Sequence, residues 1–140
     1  MLEKILIPVD GSTHNKSTFD LAKKIAANHN TKIILLNVGK LITHWTYSPV
    51  EIKNVEQKIK ESSQSIVKKA KKHFKDSNLE IETKTTLGDP AIKIIDIAEK
   101  ENCDMIIMHT HGMSATKRFT LGSVTNKVVH HSETPVLVVK

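Results

Sequence analysis

The sequence predicts an α/β fold: a doubly wound five-stranded parallel sheet with helices on both faces. Three observations carry that prediction. Short apolar runs recur along the 140 residues. Amphipathic helical patterns separate them, so strand and helix alternate from one end to the other. Four of the five runs are nearly unbroken Ile, Val, Leu or Met, the composition of strands buried on both faces. Right-handed crossovers turn a β-α-β-α-β-α-β-α-β order into a Rossmann-like sheet with strand order 3-2-1-4-5. The length suits one domain spanning 1–140.

The elements follow in order. "KILIPV", 4–9, begins the sheet. Residues 14–28 place Phe19, Ala22, Ile25 and Ala26 on one helical stripe. "KIILLNV", 32–38, is the second strand. The irregular stretch "GKLITHWTYSPV", 39–50, holds the only Trp and the only Tyr; it reads as a lid or partner-contact loop, or equally as a packed connection. Residues 51–76 repeat Ile52, Val55, Ile59, Ile66, Ala70 and Phe74 at three- and four-residue steps, with lysines opposite. "LEIETKTTL", 79–87, alternates, with Leu79, Ile81, Thr83, Thr85 and Leu87 on one side, as in an edge strand with one wetter face. In "GDPAIKIIDIAEK" Asp89 is positioned as an N-cap and Pro90 as the first helical residue. "DMIIMHT", 104–110, is the fourth strand. The last helix begins near Ser123, which can cap it, and turns Val124, Val128 and Val129 inward. "PVLVVK", 135–140, closes the sheet.

Composition narrows the function classes. Apolar residues make up 39% and charged residues 26%, an ordinary globular balance. The single cysteine, Cys103, has no disulfide partner and lies beside "MIIM", so it reads as a small buried hydrophobe. No run of 18 apolar residues occurs, and the N-terminal run is too short for a signal peptide, so a cytoplasmic location with no membrane span is expected. The net charge of +6 favours anionic partners. Much of it lies in "KESSQSIVKKAKKHFK", 60–75, which reads first as a solvated helix face. Nucleic acid is not the expected partner, because aromatic residues, the usual stacking groups, are only 4%.

In an open α/β sheet, ligands sit beyond the carboxyl ends of the strands where strand order reverses. Two segments converge there: "PVDGS" after the first strand and "HTHGMSATKRFTLGS", 109–123, after the fourth. Gly112 and Gly122 allow close backbone approach to an anion. Ser123 adds a hydroxyl at a helix start, whose free N–H groups and dipole favour negative charge. Lys117 and Arg118 add positive charge. Together these features favour a phosphate cradle over a plain surface loop. Asp10 can accept hydrogen bonds from ribose hydroxyls or an adenine amino group; equally, it can cap the first helix or satisfy turn amides in "DGS". No P-loop, no G-x-G-x-x-G and no G-x-S-x-G elbow is present. His109 and His111 share a strand face, but tetrahedral zinc requires at least a third protein ligand, so they read as cleft-lining groups and no metal site is expected. His130 and His131 fall near a helix C-terminus, where they meet the dipole favourably.

These residues resemble the universal stress protein family. "KILIPVDGS" is similar to its opening strand and turn, "GDPAIKIIDIAEKENCDMIIMHTHGMS" to its third helix and fourth strand, and "LGSVTNKVVHHSETPVLVVK" to its last helix and strand. ATP-binding members carry G-x2-G-x9-G-[ST]. Gly112, Gly122 and Ser123 match it, whereas His109 stands where the first glycine would be. The resemblance implies adenine and ribose near Pro8, Val9, Asp10 and Val38. It implies phosphates near Gly112, Gly122, Ser123 and the amide of Val124, with Met108 and His111 lining the cleft. The implied cofactor is ATP, alone or with Mg²⁺, and the implied assembly is a homodimer paired through 135–140. His109 motivates a rival expectation, an interaction module of the same family that binds no nucleotide. At most slow ATP hydrolysis is expected, with Asp10 and His111 as its candidate groups.

Overall fold

A computed structural model describes residues 1–12, 15–42, 44–110 and 121–140. Its strands are β1 (Lys4–Pro8), β2 (Lys32–Gly39), β3 (Ile81–Leu87), β4 (Met105–His109) and β5 (Val136–Val139). Its helices are α1 (Asn15–Ala26), α2 (Pro49–Lys72), α3 (Pro90–Lys100) and α4 (Ser123–His131). The strands form one sheet in the order β3-β2-β1-β4-β5, every pair parallel. The expected fold class and strand order are therefore found.

Local chemistry explains where the long helices start. Ser48 accepts the amide of Glu51 at 3.2 Å while the Glu51 carboxylate accepts the amide of Ser48 at 2.6 Å, a reciprocal capping box followed by Pro49. The helix thus begins inside the stretch read as irregular, and the unpatterned part of it shrinks to 40–48. Asp89 Oδ1 accepts the amide of Ile92 at 3.1 Å, and Pro90 occupies the first turn as expected.

The period-two alternation of the strands sorts two cores. Ile5, Ile7, Ile33, Leu35 and Ile107 face α1 and α2, meeting Phe19, Ala22, Val67 and Phe74. Leu6, Ile34, Leu36, Ile106 and Met108 face α3 and α4, meeting Ala91, Ile94, Ala98 and Val128. Burial on both faces is what makes the central runs nearly all apolar. Gly39 lets α2 lie close on the end of β2, because a Cβ there would collide with Ile59 and Leu87.

One expected inward position needs correction, and the structure sharpens two other faces. Val129 is 40% exposed. Thr125 is buried in its place, one turn before Val128 on the same helix face. On α2 the fully buried positions are Ser63, Val67 and Ala70, whereas Ile52, Val55, Ile59 and Ile66 are half-buried. On β3, Thr83 and Thr85 are exposed, whereas Glu82 and Lys84 on the opposite face are half-buried. The reason is an ion-pair chain. Lys32 Nζ lies 2.6 Å from Glu82 and 3.2 Å from Glu80, and Lys84 Nζ lies 3.0 Å from Glu82 and 2.9 Å from Glu101.

Hydrogen bonds from Lys32 and Lys84 hold the Glu82 carboxyl below the usual glutamate range, and Lys84 does the same for Glu101. A carboxyl whose folded-state pKa is depressed contributes stability above its unfolded value, about 4.3, and loses it as the pH falls through the folded value. Thermal melts between pH 6 and pH 3 should therefore show a steeper acid decline for the native chain than for Glu82→Gln. Parallel declines would mean that the chain does not couple to folding.

Cys103 is buried, as expected, and burial pushes its thiol up to about 11. The thiolate is the reactive form. At pH 8 iodoacetamide should alkylate the folded chain at least roughly a hundredfold more slowly than the denatured chain, whose thiol has a pKa of about 8.5. Equal rates, followed by mass spectrometry, would contradict this.

Candidate functional site

The site starts from the adjacency of β1 and β4, which pair directly, Ile5 with Met105 and Leu6 with Ile106. Asp104 fixes the pair from below: its Oδ2 accepts the amides of Glu3 and Lys4 at 2.8 and 2.9 Å. The turns that leave these strands therefore emerge side by side. Between them opens a cleft of about 250 Å³, just below the range of ligand pockets, which run roughly 300–1,000 Å³.

Nine of the residues expected at the site line this one cleft. Pro8, Val9 and Asp10 come from the end of β1, and Val38 from β2. Met108 and His109 come from β4, and Gly122, Ser123 and Val124 from the start of α4. The other four, His111, Gly112, Lys117 and Arg118, lie outside the described residues.

Hydrogen bonds set the frame. Asp10 Oδ1 accepts the amide of Ser12 at 3.0 Å, the turn role open to it from sequence. Gly11 follows at φ 81°, a left-handed conformation that glycine adopts without strain. The amide of Gly122 donates to the carbonyl of Thr110 at 2.7 Å, and Thr125 Oγ1 donates to the carbonyl of His109 at 2.9 Å. The chain leaving β4 and the chain starting α4 are thus pinned together at the cleft.

The cap of α4 differs from expectation. Gly122 is the N-cap residue and Ser123 is the first helical one, and no side chain among the described residues caps the helix. A glycine cap has no side-chain oxygen to occupy the first-turn amides. The amides of Ser123, Val124 and Thr125 and the positive end of the dipole stand at the cleft margin.

Several lining residues were not read from sequence. Pro90 and Ile94 bring α3 into the wall, and Asn15, Leu36 and Thr125 complete it. Asn37, only 6% exposed, donates from Nδ2 to the carbonyl of Val9 at 2.6 Å and ties the ends of β1 and β2 together. A lone amide in the apolar run "KIILLNV" is the signal that could have marked it. Among the described residues no helix is long and apolar enough to cross a membrane.

A parallel doubly wound sheet with an apolar cleft at its switch point defines a Rossmann-like α/β protein. The chain belongs to the universal stress protein family, whose model matches residues 1–140. It is 32% identical to Universal stress protein MJ0531 of Methanocaldococcus jannaschii, with 100% of this chain and 83% of that protein covered. It is 28% identical to Universal stress protein YxiE of Bacillus subtilis over the whole of both chains. Among solved structures, protein MJ0577 superposes with a TM-score of 0.85 at 32% identity, covering 100% of this chain and 96% of its own. Two other structures of the fold carry adenine nucleotides. A universal stress protein in complex with cAMP matches at TM-score 0.73 and 24% identity, covering 99% of this chain and 97% of its own. An Arabidopsis thaliana family protein with AMP bound matches at 0.70 and 22%, covering 99% and 91%.

Proposed function

We propose that this chain is a single-domain, cytoplasmic stress-response protein that binds ATP or a related adenine nucleotide in the cleft between β1 and β4. The observation that carries the reading is the N-terminus of α4, Gly122 to Thr125, which no side chain among the described residues caps, on the margin of an apolar cleft. Apolar walls of Pro8, Val9, Val38 and Met108 suit a base, and free amides with a positive dipole suit phosphate. In this reading Asp10 accepts from a ribose hydroxyl. The adenine nucleotides on family members of the same fold support the choice of base.

In this reading Ser123 donates its hydroxyl and amide to a phosphate oxygen, with the amide of Val124 beside it. The nucleotide supplies the negative charge that the helix end lacks. Binding there ties β1, β4 and α4 together and so biases a regulatory conformation. The family resemblance adds a homodimer through β5. That strand is an edge of the sheet, and all four of its residues are only half-buried, so a two-fold partner would cover them.

Calorimetric titration of the full chain with ATP and AMP, with and without Mg²⁺, tests the reading. Saturable binding that weakens in Asp10→Ala and Ser123→Ala is expected. No saturable binding at millimolar nucleotide would overturn it. His109 lines the cleft and motivates the rival reading, an interaction module without nucleotide. Binding that emerges only in His109→Gly would establish that rival.

A further inference from the structure

A second concavity, of about 500 Å³, lies away from the cleft, where the end of α2 meets the start of β3. Because α2 runs antiparallel to the strands, the groove stands at the opposite end of the sheet. Its volume falls within the range of ligand pockets, roughly 300–1,000 Å³. Leu79, Ile81 and Phe74 form an apolar floor, and Lys68, Lys71, Lys72 and Lys75 form the rim.

The rim is uniformly positive. Among the described residues none of these four lysines takes part in an ion pair; those found involve Lys4, Lys23, Lys32 and Lys84. Lys68, Lys71 and Lys72 share one side of α2 at spacings of three and four residues, and Lys75 follows in the turn just beyond the helix. Like charges at that spacing repel. The dipole at the end of α2 favours positive charge there, but it does not require the charges to share one side. An anion lying between them would relieve the repulsion.

Every polar side chain lining the groove is a lysine, which only donates hydrogen bonds. The matching ligand therefore offers acceptors at one end and hydrocarbon along the rest. A peptide backbone would bring N–H donors for which the lining side chains offer no acceptor. Phe74 is only 2% exposed, so it gives nucleic acid no ring on which to stack a base.

We propose that this groove binds a single-chain anionic amphiphile, a fatty carboxylate whose head meets the Lys68–Lys75 rim and whose chain lies along Leu79 and Ile81. The lysine stems then cover the chain while their ammonium groups hold the head. The site is independent of the nucleotide reading, and β5 lies at the other edge of the sheet from β3.

The test is a titration of the uniformly ¹⁵N-labelled full chain with laurate below its micelle concentration, followed by two-dimensional NMR. Saturable shifts confined to the amides of 68–81 are expected. The double variant Lys68→Gln/Lys72→Gln, altered only on the surface, should weaken binding at least about tenfold. Dodecanol, which lacks the charge, and acetate, which lacks the chain, should each bind at least tenfold more weakly than laurate. The proposal is overturned if laurate gives no saturable shifts, or if the shifts centre on Val9, Val38 and Val124. It is equally overturned if dodecanol matches laurate. Lysine-dependent binding to phosphatidylglycerol vesicles or to a duplex oligonucleotide, without binding of monomeric laurate, would assign the groove to a membrane or to nucleic acid instead.

Discussion

Ser123→Glu is expected to weaken ATP binding roughly ten- to a hundredfold while the fold stays intact. Ser123 is exposed, the first residue of α4 and part of the cleft lining. A carboxylate there stands on the side of the cleft proposed for phosphate. Two like charges about 4 Å apart repel by about 4 kcal/mol at an effective dielectric of about 20. Screening at an exposed margin reduces this, and a remainder of roughly 1.4–2.8 kcal/mol corresponds to ten- to a hundredfold in affinity. The same carboxylate favours the helix dipole by about 0.3–1 kcal/mol, so the melting temperature should hold or rise. Opposite signs for binding and stability separate a lost phosphate site from a damaged fold. Ser123→Gln, of equal length and no charge, should lose far less affinity. Unchanged ATP affinity in Ser123→Glu would remove the start of α4 from the phosphate site.

Phe19→Ala is expected to destabilise the chain by about 3–5 kcal/mol. Phe19 is 2% exposed at the centre of the α1–α2 core, with its ring edge-on to Phe74 at 5.3 Å between centroids. Truncation removes both the transferred apolar surface and the aromatic pair, and a close-packed core fills such a gap only in part. Against a total stability of about 5–15 kcal/mol this is a large fraction. The melting temperature should drop by roughly 10 °C or more. Phe19→Leu, which keeps most of the volume, should cost less than half as much. Urea denaturation of the three proteins reads the difference; a loss below about 1 kcal/mol for Phe19→Ala would mean that the core repacks around the gap.

Much of the site was legible before the coordinates. The Asp-Gly turn after the first strand and the Gly-Ser pair before the last helix are local signals, and both stand at one cleft. Asn37, Pro90 and Ile94 escaped notice because their relation to the cleft depends on partners far along the chain. Asn37 reaches back 28 residues to the carbonyl of Val9. Thr125 reaches the carbonyl of His109 from 16 residues away, a bond that no pattern within a helix announces. Gly122 rather than Ser123 became the cap because the amide of Gly122 is held by Thr110, which sets where helical geometry begins.

By itself the sequence determined the alternation of strand and helix, the two-sided burial of the central strands and the glycine-bearing turns at their ends. All of these follow from periodicity and residue chemistry within a few positions. The tertiary structure decided which faces of α2 and α4 turn inward, that charged Glu82 and Lys84 lie half-buried while Thr83 and Thr85 do not, and which side chains of α3 close the cleft. Those outcomes are set by contacts between elements distant in the chain, where an ion pair or a single hydrogen bond to a neighbouring strand outweighs local preference.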